Sequence, residues 1–410
     1  MFNLQQQIMN GLDWLSNFGA DPDGGITRLL YSSSWIRAQQ ALAERMKEAG
    51  LSVYYDDAGN LYGRLVGTEK PDEVVLTGSH IDTVRSGGKY DGAYGIVAGL
   101  TALQNLREVH GMPKRTLEVV SICEEEGSRF PVTFWGSGNI TGRWSMTRIP
   151  DVTDDEGMSL LEAMQLAGFG PGKHKPCLRH DLHAFVELHI EQGSILERSG
   201  LSLGIVQGIV GQARLIFEVC GEANHAGTTS MGWRRDALAG TAEMTIELEK
   251  VALTAGEPYV ATVGKIDASP NTSNVIPGHV LFTVDLRHPE PSSLEEFSRR
   301  VVALFYDIAS RRGLSLSHRQ WMFAEPVPMH SGLIERMEHI CHKRQLGYQP
   351  IYSGAGHDAQ MFRAVCHSAM LFVPSRGGIS HSPLEFTPPE HLTAGVEVLG
   401  DLLYRLAYEE

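Results

Sequence analysis

The feature that most constrains the fold is an apolar run that ends in a histidine and an aspartate. Val74-Val75-Leu76 has the composition of a buried strand, and the chain continues through His80 and Asp82. In an extended chain, residues two apart face the same side, so both side chains would point to one place. A further carboxylate, Asp91, follows across the Gly87-Gly88 turn. We expect these groups to meet at the strand's carboxyl end, as the ligands of a metal ion do.

Three further apolar runs end in the same kinds of residue. Residues 116–123 lead into Glu124-Glu125-Glu126, residues 184–190 contain His189, and residues 369–373 precede His381. Adjacent carboxylates repel one another, so the three glutamates require a cation nearby. Open α/β sheets place their functional sites at the carboxyl ends of the strands. The pattern predicts one site built from four strand ends.

These residues suit two divalent metal ions about 3.5–4 Å apart. We assign His80, Asp91 and His189 to one ion. We assign Asp91, Glu126 and His381 to the other, so that Asp91 bridges the two. Nitrogen and oxygen ligands without a thiolate favour Zn²⁺ or Mn²⁺, and the sequence does not decide between these ions.

Two acidic residues beside the ligands have predicted roles of their own. Glu125 precedes a ligand but is not needed as one, so it is the natural general base for the attacking water. Asp82 would hold the ring of His80, as carboxylates behind metal-bound histidines do.

The length of 410 residues favours two domains. Strands and helices alternate over residues 1–208, which indicates a layered α/β catalytic domain with a mixed central sheet. Residues 209–324 instead follow the strand-helix-strand-strand-helix order of a small inserted α+β sandwich. Residues 325–410 return to the catalytic domain.

Composition excludes several classes of protein. A formal charge of −14 argues against a nucleic-acid partner, which needs a basic face. No apolar run approaches the ~20 residues that cross a bilayer, so no membrane association is expected. The five cysteines are odd in number and contain no CxxC pair, and residues 1–7 do not resemble a signal peptide. We therefore expect a cytoplasmic protein.

Several segments together resemble a known family. They are residues 78–84 (GSHIDTV), 124–130 (EEEGSRF), 189–193 (HIEQG), 224–229 (NHAGTT) and 353–359 (SGAGHDA). With them the chain resembles the M20-type dinuclear metallohydrolases, in particular the branch of allantoate amidohydrolases, N-carbamoyl-L-amino-acid hydrolases and β-ureidopropionases. Peptidases of this family usually follow the bridging aspartate with Asp or Asn, and many use an acid at the position of His189. Gly92 and His189 therefore favour the amidohydrolase branch.

The resemblance also implies roles for residues of the inserted domain. It implies a homodimer in which this domain acts as a lid and dimerisation element, and in which His225 polarises the scissile carbonyl, often from the partner subunit. Asn274 and Arg287 would hold the substrate carboxylate, for which the planar fork of arginine is well matched. Gln212 and Gly356 are further candidates for substrate contact.

The activity that the resemblance implies is hydrolysis of a ureido C–N bond in a small carboxylate. Allantoate is the expected substrate, with ammonia and carbon dioxide released; N-carbamoyl amino acids and ureidopropionate are the alternatives. A metallopeptidase or aminoacylase, and a binding protein without activity, are competing interpretations. Read as structural residues, His225 would be a loop histidine, Arg287 a surface ion pair and Asn274 a turn residue, while His357-Asp358 is interpreted as a packing feature.

Overall fold

The computed structural model describes residues 4–22 and 24–409. Contacts divide the described chain into two compact units. The first unit comprises the described residues of Met1–Gln207 and Met329–Glu410, and the second is Gly208–Pro328. Among the helices described, none is both long enough and apolar enough to span a bilayer.

The strands in chain order are β1 (Ser52–Tyr55), β2 (Leu61–Leu65), β3 (Lys70–His80), β4 (Arg115–Ile122), β5 (Leu182–Ile190), β6 (Leu203–Ile209), β7 (Gly211–Cys220), β8 (Asn224–His225), β9 (Val260–Ser269), β10 (Val275–Ile276), β11 (His279–His288), β12 (Ser315–Ala324), β13 (Val327–Pro328), β14 (Tyr348–Ser353) and β15 (His367–Val373).

The α-helices are α1 (Leu4–Ser16), α2 (Ser33–Glu48), α3 (Ala93–His110), α4 (Trp135–Thr141), α5 (Leu160–Leu166), α6 (Ile195–Ser199), α7 (Ala237–Ala255), α8 (Pro291–Arg311), α9 (Ser331–Arg344), α10 (Ala359–Phe362) and α11 (Pro389–Tyr404). Short 3₁₀ turns occupy Met231–Trp233 and Arg376–Gly378, and a π-helical turn occupies Arg405–Glu409.

A mixed sheet forms the centre of the first unit, in the order β1-β2-β4-β3-β5-β15-β6, with β14 also beside β6. Strands β4, β3, β5 and β15 are neighbours and run parallel. All of β4 is buried, as expected of a parallel strand covered on both faces. Parallel neighbours end at one edge of the sheet, so the segments after these four strands meet there. The layered α/β fold with a mixed sheet is confirmed.

The second unit is an antiparallel sheet covered by two helices. Its order is β12-β7-β11-β9, and buried and accessible residues alternate along β7 and β11. The buried face packs against α7 and α8, where Phe217, Phe282 and Phe305 form one aromatic cluster. This arrangement is an α+β sandwich, with β8 and β10 forming a separate two-stranded ribbon.

Trp35 fixes α2 to the end of β4. Its side chain is fully buried, and its indole N–H donates to the carbonyl oxygen of Cys123 at 2.9 Å. The rings of Tyr31 and Phe169 pack edge-on against it, with centroids 5.3 and 5.7 Å away. Because Cys123 directly precedes the three glutamates, this contact sets where the acidic segment begins.

Replacing Trp35 therefore tests the anchoring of β4. Trp35→Phe keeps an aromatic ring but removes the donor to Cys123, and we expect a loss of about 1–3 kcal/mol in the free energy of unfolding. Trp35→Ala also leaves a cavity and should cost about 3–5 kcal/mol. Urea denaturation measures both losses. Trp233→Phe is the control, because Trp233 is 83% exposed and its replacement should change stability by less than about 0.5 kcal/mol. Equal stability of Trp35→Phe and Trp233→Phe would contradict the anchoring role.

Candidate active site

His80, at the end of β3, is held between two aspartates. Its Nδ1 lies 3.1 Å from the backbone oxygen of Asp82 and 3.3 Å from Oδ1 of the same residue. Its Nε2 lies 3.3 Å from Oδ1 of Asp91. Burial disfavours the protonated ring, but the two aspartates outweigh this effect and raise the pKa of His80 well above its ordinary value. The imidazole is thus oriented with one nitrogen towards Asp82 and the other towards Asp91.

Asp82 also connects the end of β3 to the acidic segment after β4. Its carboxylate accepts the backbone N–H of Glu125 at 3.0 Å and that of Glu126 at 3.1 Å. One buried side chain therefore orients a histidine and two glutamates.

Asp91 lies at the meeting point of three histidines. Its Oδ1 is 3.2 Å from Nε2 of His189 as well as 3.3 Å from that of His80, and its Oδ2 is 3.3 Å from Nε2 of His381. The same His381 nitrogen lies 3.3 Å from Oε1 of Glu126. Burial raises the pKa of Asp91, but the histidines outweigh it and hold this pKa well below its usual range. The structure thus brings together the five residues predicted as metal ligands.

The donor atoms of these residues fit two divalent ions that share Asp91. The possible ligand atoms of His80, Asp91 and His189 lie within 4.8 Å of one another, as do those of Asp91, Glu126 and His381. The Oδ1 atom of Asp91 is buried and accepts no hydrogen bond from the described residues. Clustered carboxylate and imidazole lone pairs of this kind are what a cation stabilises.

The tautomer of His189 supports this fit. Its Nδ1 is 2.9 Å from the carbonyl oxygen of Ile190, and the backbone N–H of Gly92 points at its Nε2 from 3.1 Å. From these contacts we assign the proton to Nδ1 and the lone pair to Nε2, the nitrogen that faces Asp91. Metal-binding histidines commonly donate their other N–H to a backbone carbonyl in this way.

Gly92 is required by the packing around His80. Its φ is +63°, a conformation that favours glycine. A Cβ atom there would also lie 2.4 Å from the backbone oxygen and 2.6 Å from the ring of His80. The position after Asp91 therefore admits no side chain in this arrangement.

Glu125 lies beside the ligands, with a carboxylate oxygen close to donor atoms of His80 and Glu126. Loss of solvent around it raises its pKa well above the ordinary value, and the carboxylates of Glu126 and Asp358 add to this effect while His80 opposes it. A carboxyl group in such surroundings can take up a proton and hold it. The site is open on one side, because the side chain of His381 is 49% exposed.

The loop after β14 also contacts the ligands. The ring of His357 packs edge-on against that of His189, with centroids 4.7 Å apart, and its Nε2 is 3.1 Å from Oγ of Ser353. Burial lowers the pKa of His357 well below its ordinary value. Gly356 directly precedes this ring.

Sequence analysis missed three polar side chains that hold Asp91. Its Oδ2 accepts hydrogen bonds from Nε2 of Gln192 at 2.8 Å and Oγ of Ser380 at 2.9 Å, and its backbone N–H donates to Glu385 at 3.1 Å. Gln192 is close in the sequence to the predicted ligand His189, and Ser380 directly precedes the predicted ligand His381. This nearness in the sequence could have indicated both residues. Glu385 also lies shortly after a predicted ligand, His381, but nothing in the sequence signals its contact with Asp91, 294 residues away.

His225, predicted as a catalytic residue, and Asn274, predicted to bind substrate, lie at the ribbon of the second unit. β8 carries His225 and pairs with β10, directly after Asn274, and the N–H of Ala226 donates to the backbone oxygen of Asn274 at 3.0 Å. The N–H of Gly227 donates to Nδ1 of His225 at 3.0 Å. We therefore assign the ring proton to Nε2, so the exposed ring of His225 can donate a hydrogen bond.

Two more of the predicted substrate-binding residues, Gln212 and Arg287, lie opposite each other in the sheet of that unit. Gln212 in β7 is the register partner of Arg287 in β11. The guanidinium of Arg287 donates to both carboxylate oxygens of Asp285, at 2.9 and 3.2 Å. Arg214 shares the same carboxylate at 2.9 Å. Arg287 thus forms an ion pair in this structure.

Comparison with known proteins gives consistent findings over nearly the whole chain. A sequence profile of peptidase family M20/M25/M40 matches residues 76–405. The chain is 49% identical to an allantoate amidohydrolase of Bacillus subtilis, covering 99% of this chain and 98% of that protein. It is 38% identical to an N-carbamoyl-L-amino acid amidohydrolase of Geobacillus stearothermophilus, covering 99% and 98%. A crystal structure of an amidase of the hydantoinase/carbamoylase family from Burkholderia multivorans superposes with a TM-score of 0.92 at 34% identity, covering 97% of each chain.

Because Asp91 contacts both groups of ligands, its replacement should affect both metal positions. We expect Asp91→Ala to retain neither ion, whereas His189→Ala should retain the ion held by Glu126 and His381. Metal content measured after equilibrium dialysis against Mn²⁺ or Zn²⁺ distinguishes the two variants. Two ions retained by Asp91→Ala would exclude the bridging arrangement.

Proposed function

The chain belongs to peptidase family M20/M25/M40, and from this membership we propose that it hydrolyses a ureido C–N bond of allantoate with two divalent metal ions, Mn²⁺ or Zn²⁺. The observation that carries the proposal is the convergence of His80, His189, His381 and Glu126 on Asp91. The choice of substrate is supported by 49% identity to an allantoate amidohydrolase against 38% to an N-carbamoyl-L-amino acid amidohydrolase. The second relative makes N-carbamoyl amino acids the alternative substrates.

The residues of the first unit supply the proton transfers. The two ions, when bound, would supply Lewis acidity and lower the pKa of the attacking water. Glu125 accepts a proton from this water as its oxygen attacks the ureido carbon. The C–N bond then breaks, and Glu125 returns the proton to the departing nitrogen. The carbamic acid that remains loses carbon dioxide, and ammonia is released. Asp82 keeps His80 and the Glu125 backbone in place throughout.

The residues of the second unit bind the substrate in this proposal. His225, with its proton on Nε2, donates a hydrogen bond to the ureido carbonyl. Arg287 and Asn274 bind the substrate carboxylate, and Gln212 is a weaker candidate for substrate contact, as is Gly356 of the first unit. Arg287 must then exchange part of its contact with Asp285 for the substrate carboxylate, which offers the same planar pair of acceptors.

We further propose a homodimer assembled through the second unit, which would also act as a lid. This proposal is supported by apolar side chains that are exposed along α7, namely Leu238, Ile246 and Leu253 at 40, 53 and 75%. The neighbouring Val260 of the edge strand β9 is exposed as well. Apolar surface of this kind is typical of protein contacts.

The five cysteines are free thiols, which supports the proposed cytoplasmic location.

Glu125→Gln tests the proton-transfer role. The amide keeps the size of the side chain but cannot accept the proton, so kcat for allantoate should fall by about 10²–10⁴-fold. Ammonia release measures the rate, and elemental analysis should find both ions still bound. If the variant instead loses an ion, Glu125 is a ligand and the assignment of Glu126 is wrong.

Substrate choice is tested with Arg287 and two substrates. Losing one partner of this charged contact should cost about 2–5 kcal/mol, so Arg287→Ala should lower kcat/KM by roughly 30- to several thousand-fold. Arg287→Lys keeps the charge but loses the planar fork, so it should still be clearly impaired. Arg214→Lys is the matched control, because Arg214 shares Asp285 but has no proposed contact with substrate. The wild-type enzyme should prefer allantoate to N-carbamoylglycine, which has only one ureido group. Equal efficiency on the two would favour the carbamoyl amino acid hydrolases.

A further inference from the structure

Glu385 lies in the turn after His381 and reaches the segment that carries Asp91. Its Oε1 accepts the backbone N–H of Tyr90 at 2.8 Å and that of Asp91 at 3.1 Å. Its Oε2 is 3.0 Å from Oγ of Ser380, which is itself 2.9 Å from Oδ2 of Asp91. One carboxyl group therefore holds Asp91 twice, through its backbone directly and through its side chain by way of Ser380.

The surroundings of Glu385 are shaped around its carboxyl group. Glu385 is only 5% exposed. A Cβ atom on Gly88 would lie 2.2 Å from its carboxyl carbon, so the chain before Asp91 approaches Glu385 where no side chain could fit. The turn is closed locally, since the N–H of Glu385 donates to the backbone oxygen of Ser382 at 3.1 Å.

This placement is costly unless it serves the site. A buried carboxyl group loses hydration, and a second carboxylate close by disfavours its ionisation further. Glu385 nevertheless lies against Asp91, and the chain closes a contact over 294 residues to put it there. An apolar side chain could fill the same volume, but it could not accept the backbone N–H groups of Tyr90 and Asp91.

We propose that Glu385 is a positioning residue for the bridging aspartate. It fixes the Asp91 backbone and, through Ser380, the rotation of the carboxylate, so that Oδ1 faces His80 and His189 while Oδ2 faces His381. The inference rests on the proposed metal site, and it adds that the turn at residues 380–385 sets the affinity of both metal positions. Glu385 contacts no substrate in this account, so its influence is exerted through Asp91 alone.

Metal affinity measured without substrate tests the proposal. Glu385→Ala removes the hydrogen bonds to the Tyr90 and Asp91 N–H groups and to Ser380. The affinity for Zn²⁺ or Mn²⁺ at both positions should then fall by about 10–100-fold, as is typical when a group behind a metal ligand is lost. Glu385→Gln keeps an oxygen for the two N–H groups and an N–H₂ for Ser380, so it should restore most of the affinity. Competition titration against a chelator measures both variants, and in the metal-saturated enzyme KM should stay at the wild-type value.

A matched control separates positioning from general loss of stability. Asp57 is also a buried carboxylate, and it accepts two backbone N–H groups, from Gly172 at 2.9 Å and His174 at 2.7 Å. Asp57→Ala should lower the urea midpoint while both metal affinities stay unchanged. An equal loss of metal affinity in Asp57→Ala and Glu385→Ala would overturn the proposal, as would wild-type affinity in Glu385→Ala.

A second variant keeps the proposal testable if Glu385→Ala does not fold. Gly88→Ala leaves Glu385 in the chain but pushes its carboxyl group away, so it should show the same loss of metal affinity. Folded Gly88→Ala protein with wild-type affinity for both ions would overturn the proposal. Failure of the proposed function would look different, because the wild-type protein would then bind two ions normally and release no ammonia from allantoate.

Discussion

The shared carboxylate of Asp91 is the contact on which the rest of the site depends. Its two oxygens face three imidazole nitrogens at 3.2–3.3 Å, from His80, His189 and His381, which come from three separate strand ends. Burial alone would drive this carboxyl group to its neutral form, but the histidines hold its pKa low and keep it available as a ligand. Since the assigned tautomer of His189 turns a lone pair towards Asp91, a cation bound between the two side chains would stabilise the carboxylate further.

The parallel strands explain how such distant residues meet. β4, β3, β5 and β15 lie side by side, so the segments that follow them share one edge of the sheet. Helices and buried side chains on both faces fix the strands, and Trp35 fixes the last residue before the acidic segment. Asp82, after β3, accepts a hydrogen bond from the segment that follows β4. Glu385 connects the turn at residues 380–385 to Asp91 by a hydrogen bond. The chemistry is therefore assembled by the sheet, while local turns set its fine geometry.

The meeting of the five residues predicted as ligands could be expected from the sequence, because they lie near the ends of apolar runs, and apolar runs indicate strands. The antiparallel sandwich of the second unit was also predictable, since its segments follow the strand-helix-strand-strand-helix order of a small α+β sandwich. Glu385 and its contact with Asp91 could not be predicted, because nothing local in the sequence signals a hydrogen bond across 294 residues. The same holds for the ion pair of Arg287 with Asp285, which depends on side-chain conformation. Gly92 is an intermediate case. The sequence shows that a glycine follows Asp91, but it does not show that the ring of His80 leaves no room for a side chain there.

The central claim is that Asp91 bridges two metal ions, and anomalous X-ray diffraction from crystals of the Mn²⁺- or Zn²⁺-loaded protein tests it most directly. The account predicts two anomalous peaks about 3.5–4 Å apart. One peak should lie between His80 and His189, the other between Glu126 and His381, with an oxygen of Asp91 bound at each. A single peak, or a pair of peaks of which one has no oxygen of the Asp91 carboxylate bound to it, would contradict it.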